Sequence, residues 1–116
     1  MTNPFVDMEL HPNSPDNAKS FYGDLLGWKF ADMDMGGETY TMINSGAEPF
    51  AGVAPANGAP PRWLPYLGVE DLDAAAKKAQ KLGAKVVLPR VDIPAGSFVW
   101  IEDPAGATVA LFQSKV

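Results

Sequence analysis

The chain has 116 residues, of which 47% are hydrophobic and 20% charged, a balance that fits one compact domain and excludes a disordered chain. Nine basic residues against 14 acidic ones give a net charge of −5, which disfavours nucleic acid and anionic membranes as partners. The absence of cysteine excludes a disulfide framework and a thiolate metal site. No basic segment followed by an apolar run opens the sequence, so we expect a cytoplasmic location.

The first half predicts a strand, a helix and three more strands. The helix spans Ser14 to Gly27, because Ser14 can cap its start and Gly27 suits the left-handed position after its last turn. Five apolar residues at helical spacing predict one buried stripe: Ala18, Phe21, Tyr22, Leu25 and Leu26. The predicted strands are Phe5 to Leu10, Trp28 to Met33, Thr39 to Asn44 and Pro49 to Ala54.

The second half predicts the same order of elements. Its helix spans Asp71 to Gly83, with Asp71 as the cap, Gly83 as the stop and a thinner, alanine-rich stripe: Leu72, Ala75, Ala76, Ala79 and Leu82. The predicted strands are Trp63 to Val69, Lys85 to Val91, Phe98 to Glu102 and Ala107 to Phe112. Hairpin turns are expected at Asn44 to Glu48 and Asp103 to Gly106.

The two halves are an internal repeat, because one constant offset relates Leu26 to Leu82 and Gly27 to Gly83. A connector rich in Pro, Gly and Ala separates them. The sequence therefore predicts a single domain, 1–116, made of module 1 (4–54), a linker (55–62) and module 2 (63–114).

Three segments carry a resemblance to a known family: AKSFYGDLLGWKF at Ala18 to Phe30, GVEDLDAAAKKAQKLGAKV at Gly68 to Val86, and EDPAGATVALF at Glu102 to Phe112. In this order and in a duplicated frame, they resemble the vicinal oxygen chelate superfamily, which includes glyoxalases, bleomycin-resistance proteins and extradiol dioxygenases. The resemblance implies an α+β fold of two tandem βαβββ modules that form a cup-shaped mixed sheet, with helices outside and a ligand cavity within.

The resemblance also implies four metal-ligand positions, one on the first and one on the last strand of each module. These positions fall on Asp7, Gly52, Leu64 and Ala110, of which only Asp7 has a side chain that binds metal. A single carboxylate does not hold an ion of the Zn, Fe or Ni type. We therefore expect no metal and no cofactor.

Alternation along the first strand places Asp7 and Glu9 on one face and Val6, Met8 and Leu10 on the other, which is expected to pack against the helix. Asp7 and Glu9 would then face the cavity. The alternative is an exposed strand edge with two solvated carboxylates.

The same alternation separates Tyr40 and Met42 from Thr41 and Ile43, and Phe98 and Trp100 from Val99 and Ile101. We expect the β-branched faces to pack against the helices, and the aromatic faces to line the cavity with Leu64, Tyr66 and Phe112. Such a wall suits a flat or cationic organic molecule. Alternatively, these rings only fill the core.

His11 is expected on a loop after the first strand, either as a surface residue or as a general base.

The preferred hypothesis is a metal-independent protein that binds a small aromatic or cationic molecule through Asp7, Glu9, Tyr40, Leu64, Tyr66, Trp100 and Phe112. The rival is a lyase, isomerase or dioxygenase-like enzyme, metal-dependent or acid/base, that uses Asp7 and Glu9. A third possibility is an accessory subunit. A homodimer is expected, and whether the chain catalyses a reaction stays open.

Overall fold

A computed structural model describes residues 3–34, 39–44, 49–54 and 60–115. Its elements follow the order βαβββ twice, as the repeat predicts: β1 (Phe5–His11), α1 (Pro15–Leu26), β2 (Lys29–Asp34), β3 (Thr39–Asn44), β4 (Pro49–Val53), β5 (Arg62–Gly68), α2 (Leu72–Lys81), β6 (Lys85–Ile93), β7 (Gly96–Glu102) and β8 (Thr108–Ser114). The predicted turn at Asn44 to Glu48 and most of the linker lie outside the described residues. In the described part of the chain, neither helix is long and apolar enough to cross a membrane.

The chain divides into two compact units, which we call the first unit (Asp7–Trp63) and the second unit (Met1–Val6 with Leu64–Val116). In the first unit the strand order is β2-β3-β4-β1, with β1 parallel to β4 and the other pairs antiparallel. In the second unit it is β5-β8-β7-β6, with β5 parallel to β8. The amino-terminal segment joins the second unit because the backbone N–H of Gly68 donates to the Pro4 carbonyl at 2.8 Å.

Both helices begin at the residues that the sequence marks, and α1 ends at the predicted residue, whereas α2 ends one residue earlier than predicted, at Lys81. The Ser14 hydroxyl accepts from the backbone N–H of Asn17 at 3.3 Å, and the Asp71 carboxylate accepts from Ala74 at 3.1 Å. Gly27 and Gly83 both have positive φ, at 72° and 103°, as the repeat predicts for the residues that stop the helices.

The second unit has one apolar cluster on each face of its sheet. Val99 and Ile101 of β7 lie in a cluster with Leu72 of α2 and Leu111, whereas Trp100 lies in a separate cluster. The helix therefore covers the β-branched face and leaves the aromatic face on the opposite side, which confirms the prediction from strand alternation.

The core of the first unit is smaller than the sequence indicates. Leu10 and Ile43 are buried with Ala51 and Val53, and only Ala18 and Tyr22 pack on them from α1. The prediction of a five-residue buried stripe is wrong: the exposed fractions are 58% for Phe21, 61% for Leu25 and 51% for Leu26. Leu25 and Leu26 form the carboxyl-terminal end of α1, and no residue of the helix after Tyr22 packs on the cluster.

Two related predictions also need correction. Val6 and Met8 were expected to face the helix with Leu10, but both are exposed, because only Leu10 belongs to the cluster that α1 covers. Leu82 was expected in the stripe of α2 and is 68% exposed, since α2 ends at Lys81 and Leu82 caps it from outside the helical turn.

Two glycines of α1 provide a matched test of this helix end. Gly27→Ala should lower the free energy of unfolding by about 1 kcal/mol, because an L side chain at positive φ is strained. Gly23→Ala should raise it by roughly 0.5 to 1 kcal/mol, since its methyl group would meet Trp28 and Phe30 only at ordinary contact distances. Urea unfolding of both variants measures the free energy of unfolding. Equal effects of the two substitutions would contradict a positive φ at Gly27 and a helical position for Gly23.

Candidate functional site

One face of β1 carries three titratable side chains. The strand continues through His11, so alternation places Asp7, Glu9 and His11 on the same face. His11 is completely buried and Glu9 is 6% exposed. The expectation that His11 is a surface loop residue is therefore wrong, because β1 extends one residue beyond its predicted end and turns the imidazole inward.

The buried carboxylate of Glu9 is held on both oxygens. Its Oε1 lies 2.7 Å from His11 Nε2, and its Oε2 accepts a hydrogen bond from the Tyr40 hydroxyl at 3.3 Å. Burying a carboxylate is costly unless hydrogen bonds compensate it, and these two contacts supply that compensation. The alternative of a solvated carboxylate is thus wrong for Glu9.

Tyr40 is the partner of Glu9 across the sheet of the first unit. Burial, followed by the negative charges of Glu9 and Asp7 and the hydrogen bond to Glu9, raises the pKa of the Tyr40 phenol well above its usual value. The phenol therefore stays protonated and acts as a hydrogen-bond donor. Thr41 lies on the opposite face from Tyr40, as the alternation of β3 predicts, and its hydroxyl donates to Asp32 at 2.6 Å.

Gly52 leaves the space that the Tyr40 ring fills. In register, Gly52 pairs with Glu9 of β1 and with Met42 of β3. A Cβ atom built on Gly52 would overlap the phenol oxygen and ring of Tyr40. Sequence reasoning named both residues but did not connect them, because their contact depends on the pairing of β3 with β4.

Asp7 is the half-buried member of the β1 face. Desolvation by burial is the main cause that raises the pKa of its carboxyl to about 6, with the nearby Glu9 charge adding to it. The backbone N–H of Met8 donates to Asp7 Oδ1 at 2.9 Å and partly offsets this effect. The pKa of Asp7 is therefore higher than that of an exposed carboxyl group.

The remaining predicted site residues meet in the second unit. Trp100 Nε1 donates to the Tyr66 hydroxyl at 3.2 Å, and the Phe112 ring lies 6.5 Å from that of Tyr66 between centroids. Leu64 is fully buried in the same cluster, and Phe112 packs against it half-buried. These four side chains form one contiguous apolar cluster, with Phe112 its more accessible member.

A family model described as Glyoxalase/Bleomycin resistance protein/Dioxygenase superfamily matches residues 7–111. The chain is 36% identical over 93% of its length to a protein of Mycobacterium tuberculosis named "Putative glyoxylase CFP32", and 32% identical over 89% to the "Anthracycline biosynthesis protein DnrV" of Streptomyces peucetius. It belongs to this superfamily. The matches cover 44% and 45% of those relatives, so the chain spans less than half of their length.

Solved structures show the same fold at low sequence identity. Methylmalonyl-CoA epimerase from Mycobacterium tuberculosis superposes with a TM-score of 0.64 at 17% identity, covering 97% of this chain and 88% of that one. A hypothetical protein from Bacillus halodurans C-125 superposes with a TM-score of 0.70 at 12% identity, covering 100% of this chain and 97% of that one. The fold is the α+β glyoxalase/bleomycin-resistance fold.

Three of the four positions that the superfamily resemblance assigns to metal ligands carry no metal-binding side chain. Gly52 has no ligating atom and its space is taken by Tyr40, while Leu64 and Ala110 are apolar and fully buried. Among residues 3–34, 39–44, 49–54 and 60–115, no group of three or more acidic or histidine side chains is arranged to hold a metal ion.

A double-mutant cycle tests the contact between Tyr40 and Gly52. Gly52→Ala should destabilise the protein by about 1 to 3 kcal/mol, because the added methyl group overpacks against the phenol. In a Tyr40→Ala background the same change should cost little, since the ring is gone. Chemical denaturation of the four proteins measures the coupling, and an equal cost in both backgrounds would show that the ring does not fill this space.

Proposed function

We propose that this chain binds a small aromatic or cationic organic molecule without a metal ion. The proposal rests on the two contacts of the Glu9 carboxylate, one with the His11 imidazole and one with the Tyr40 hydroxyl, next to Gly52. A metal ion at this face would have to displace both hydrogen bonds and the Tyr40 ring. The contacts with His11 and Tyr40 therefore compete with a metal ion for the Glu9 oxygens.

The predicted ligand-binding set is Asp7, Glu9, Tyr40, Leu64, Tyr66, Trp100 and Phe112. Asp7 supports the cationic part of the proposal, because only its Oδ1 receives a hydrogen bond within the described part of the chain. A ligand ammonium or protonated ring nitrogen could take Oδ2 and stabilise the charged carboxylate in its half-buried position. In the second unit, and independently of Asp7, Phe112 supports an aromatic ligand, since it is the half-buried edge of its cluster.

The name of one relative agrees with an aromatic ligand. DnrV is named for the biosynthesis of anthracyclines, which are flat polycyclic compounds. The identity of 32% over 89% of this chain supports a similar ligand class here, although the relative has more than twice the matched length. We therefore propose an aromatic compound as one ligand type, beside the cationic type that Asp7 supports.

A second candidate is an acid/base enzyme, and the raised pKa of Asp7 favours it. A carboxyl group with a pKa of about 6 can accept a proton from a substrate at neutral pH and return it. The relative named as a glyoxylase agrees with catalysis. The two functions differ in one measurable way: turnover that Asp7→Asn abolishes while leaving binding intact would establish the enzyme.

Quenching of tryptophan fluorescence by 9-aminoacridine, a planar cation, tests the binding proposal. We expect saturable quenching at pH 7.5 that weakens as the pH falls from 7 to 5, because protonation of Asp7 near pH 6 removes the charge that attracts the cation. Asp7→Asn should bind more weakly and lose this pH dependence. Asp16→Asn, which removes an exposed carboxylate of α1, is the matched control and should behave as wild type.

Two results would contradict the proposal. One is the absence of saturable quenching across a panel of planar cations and neutral aromatics. The other is a pH dependence that persists unchanged in Asp7→Asn, which would assign the titration to a different group.

A further inference from the structure

The sheet of the first unit has one face that α1 does not cover. The helix packs on the face that carries Leu10 and Ile43. Strand alternation places Asp7 and Glu9 of β1 and Met42 of β3 on the opposite face, which we call the site face. The site face is therefore the side of this sheet on which no side chain of α1 competes with a ligand.

One row of residues crosses the site face from β1 to β2. Glu9 pairs in register with Gly52, and Gly52 pairs with Met42. Met42 pairs in turn with Ala31 of β2. The Tyr40 ring fills the space that a side chain at position 52 would take, so it lies between Glu9 and Met42. The row therefore changes from an acidic end on β1 to an apolar end on β3 and β2.

Met42 is the long apolar side chain of this row. It is half-buried and is not part of the cluster that α1 covers, whereas its neighbours Thr41 and Ile43 are 5% and 0% exposed. Ala31 beside it is exposed and has only a methyl group, so one side of Met42 has no large neighbour in the row. A methionine side chain is flexible and polarisable and adapts to apolar partners of different shape. Met42 is therefore suited to contact the apolar part of a ligand.

Charges on the two outermost strands of the unit give the site face a direction. Asp7 lies half-buried on β1, and Lys29 lies exposed on β2, where alternation places it on the same face as Ala31. The other two titratable side chains of this face of β1, Glu9 and His11, are buried and contact each other at 2.7 Å. A positive ligand group is therefore attracted towards β1 and repelled from β2.

The distance from Asp7 to Met42 sets the size of the ligand. The strand order places β4 between β1 and β3, so two strand spacings, about 10 Å, separate their backbones. A small ammonium ion bound to Asp7 does not reach Met42 over this distance. An unbranched octyl chain does, and it passes along the Tyr40 ring on the way.

We propose that the candidate site of the first unit binds a primary ammonium compound with an unbranched apolar chain. The ammonium group binds Asp7, the chain lies along the Tyr40 ring, and its end contacts Met42. Lys29 disfavours a second positive group at that end. The inference rests on the proposed function, because it takes Asp7 as the residue that binds the positive group, and it adds Met42 as a residue that selects the length of the chain.

Two alkylamines test the selection by chain length. Titrations followed by two-dimensional amide NMR at pH 7.5 should show that n-octylamine binds at least about tenfold more tightly than ethylamine, because its chain buries additional methylene groups. Met42→Ala should remove most of this difference and leave the affinity for ethylamine unchanged, since ethylamine contacts only Asp7. Met8→Ala, which removes an exposed methionine from the opposite face of β1, is the matched control and should bind both amines as wild type does. The same spectra show whether each variant is folded.

Octamethylenediamine, which carries a second ammonium group at the far end of the same chain, tests the direction. It should bind wild type more weakly than n-octylamine, because its second charge lies near Lys29 and on an apolar surface. Lys29→Gln should reduce this difference, since the repulsion is removed. A difference that Lys29→Gln leaves unchanged would overturn the assigned direction of the chain.

The planar cation 9-aminoacridine, titrated in parallel, separates this inference from the proposed function. If 9-aminoacridine binds in a way that depends on Asp7, but n-octylamine binds no more tightly than ethylamine, the inference is wrong and the proposed function stands. If neither 9-aminoacridine nor n-octylamine binds, both are wrong. Tight binding of n-octylamine that Met42→Ala leaves unchanged would also overturn the inference, because the chain would then lie elsewhere.

Discussion

The first unit depends on the buried carboxylate of Glu9, whose two oxygens bind His11 on its own strand and Tyr40 on β3. A carboxylate in this position would be strongly destabilising if either partner were lost, because the uncompensated charge would remain buried. This requirement fixes the neighbours: Tyr40 must reach across β4, and position 52 must be a glycine to let the ring pass. A single buried charge thus constrains three strands.

The fold of this chain and the chemistry of its candidate site have to be considered separately. The chain belongs to a superfamily whose fold it shares with methylmalonyl-CoA epimerases, yet the positions that the resemblance assigns to metal ligands carry Gly52, Leu64 and Ala110. A shared fold therefore does not show that this chain catalyses the same reaction as those epimerases. The first unit has a hydrogen-bonded cluster of Glu9, His11 and Tyr40, and the second unit has a packed aromatic cluster.

Most of the fold could be predicted from the sequence because it depends on local rules. The caps Ser14 and Asp71 and the positive-φ glycines Gly27 and Gly83 are recognisable within one turn of chain, and strand alternation correctly assigned Val99 and Trp100 to opposite faces. What the sequence did not predict depends on tertiary pairing. An apolar residue such as Leu25 shows helical spacing whether or not another element covers it, and the burial of His11 follows from strand length and neighbours.

Strand alternation predicted that Asp7 and Glu9 lie on one face of β1, but it could not identify the residues that contact Glu9. The role of Tyr40 depends on the register between β3 and β4, which pairs Met42 with Gly52. That register pairs residues about ten positions apart in the sequence, and no local pattern specifies it. The spacing of Asp7, Glu9 and His11 at alternate positions was the one available signal that His11 continues the strand.

The metal content of the purified protein tests the central claim most directly. Untagged protein should be incubated with Zn²⁺, Ni²⁺ or Mn²⁺, dialysed against a chelator and then analysed for bound metal by mass spectrometry. Because Glu9 is engaged by His11 and Tyr40, we predict only trace metal and no metal-induced rise in thermal stability. Near-stoichiometric metal that survives dialysis in wild type and is lost in Glu9→Gln would contradict the account.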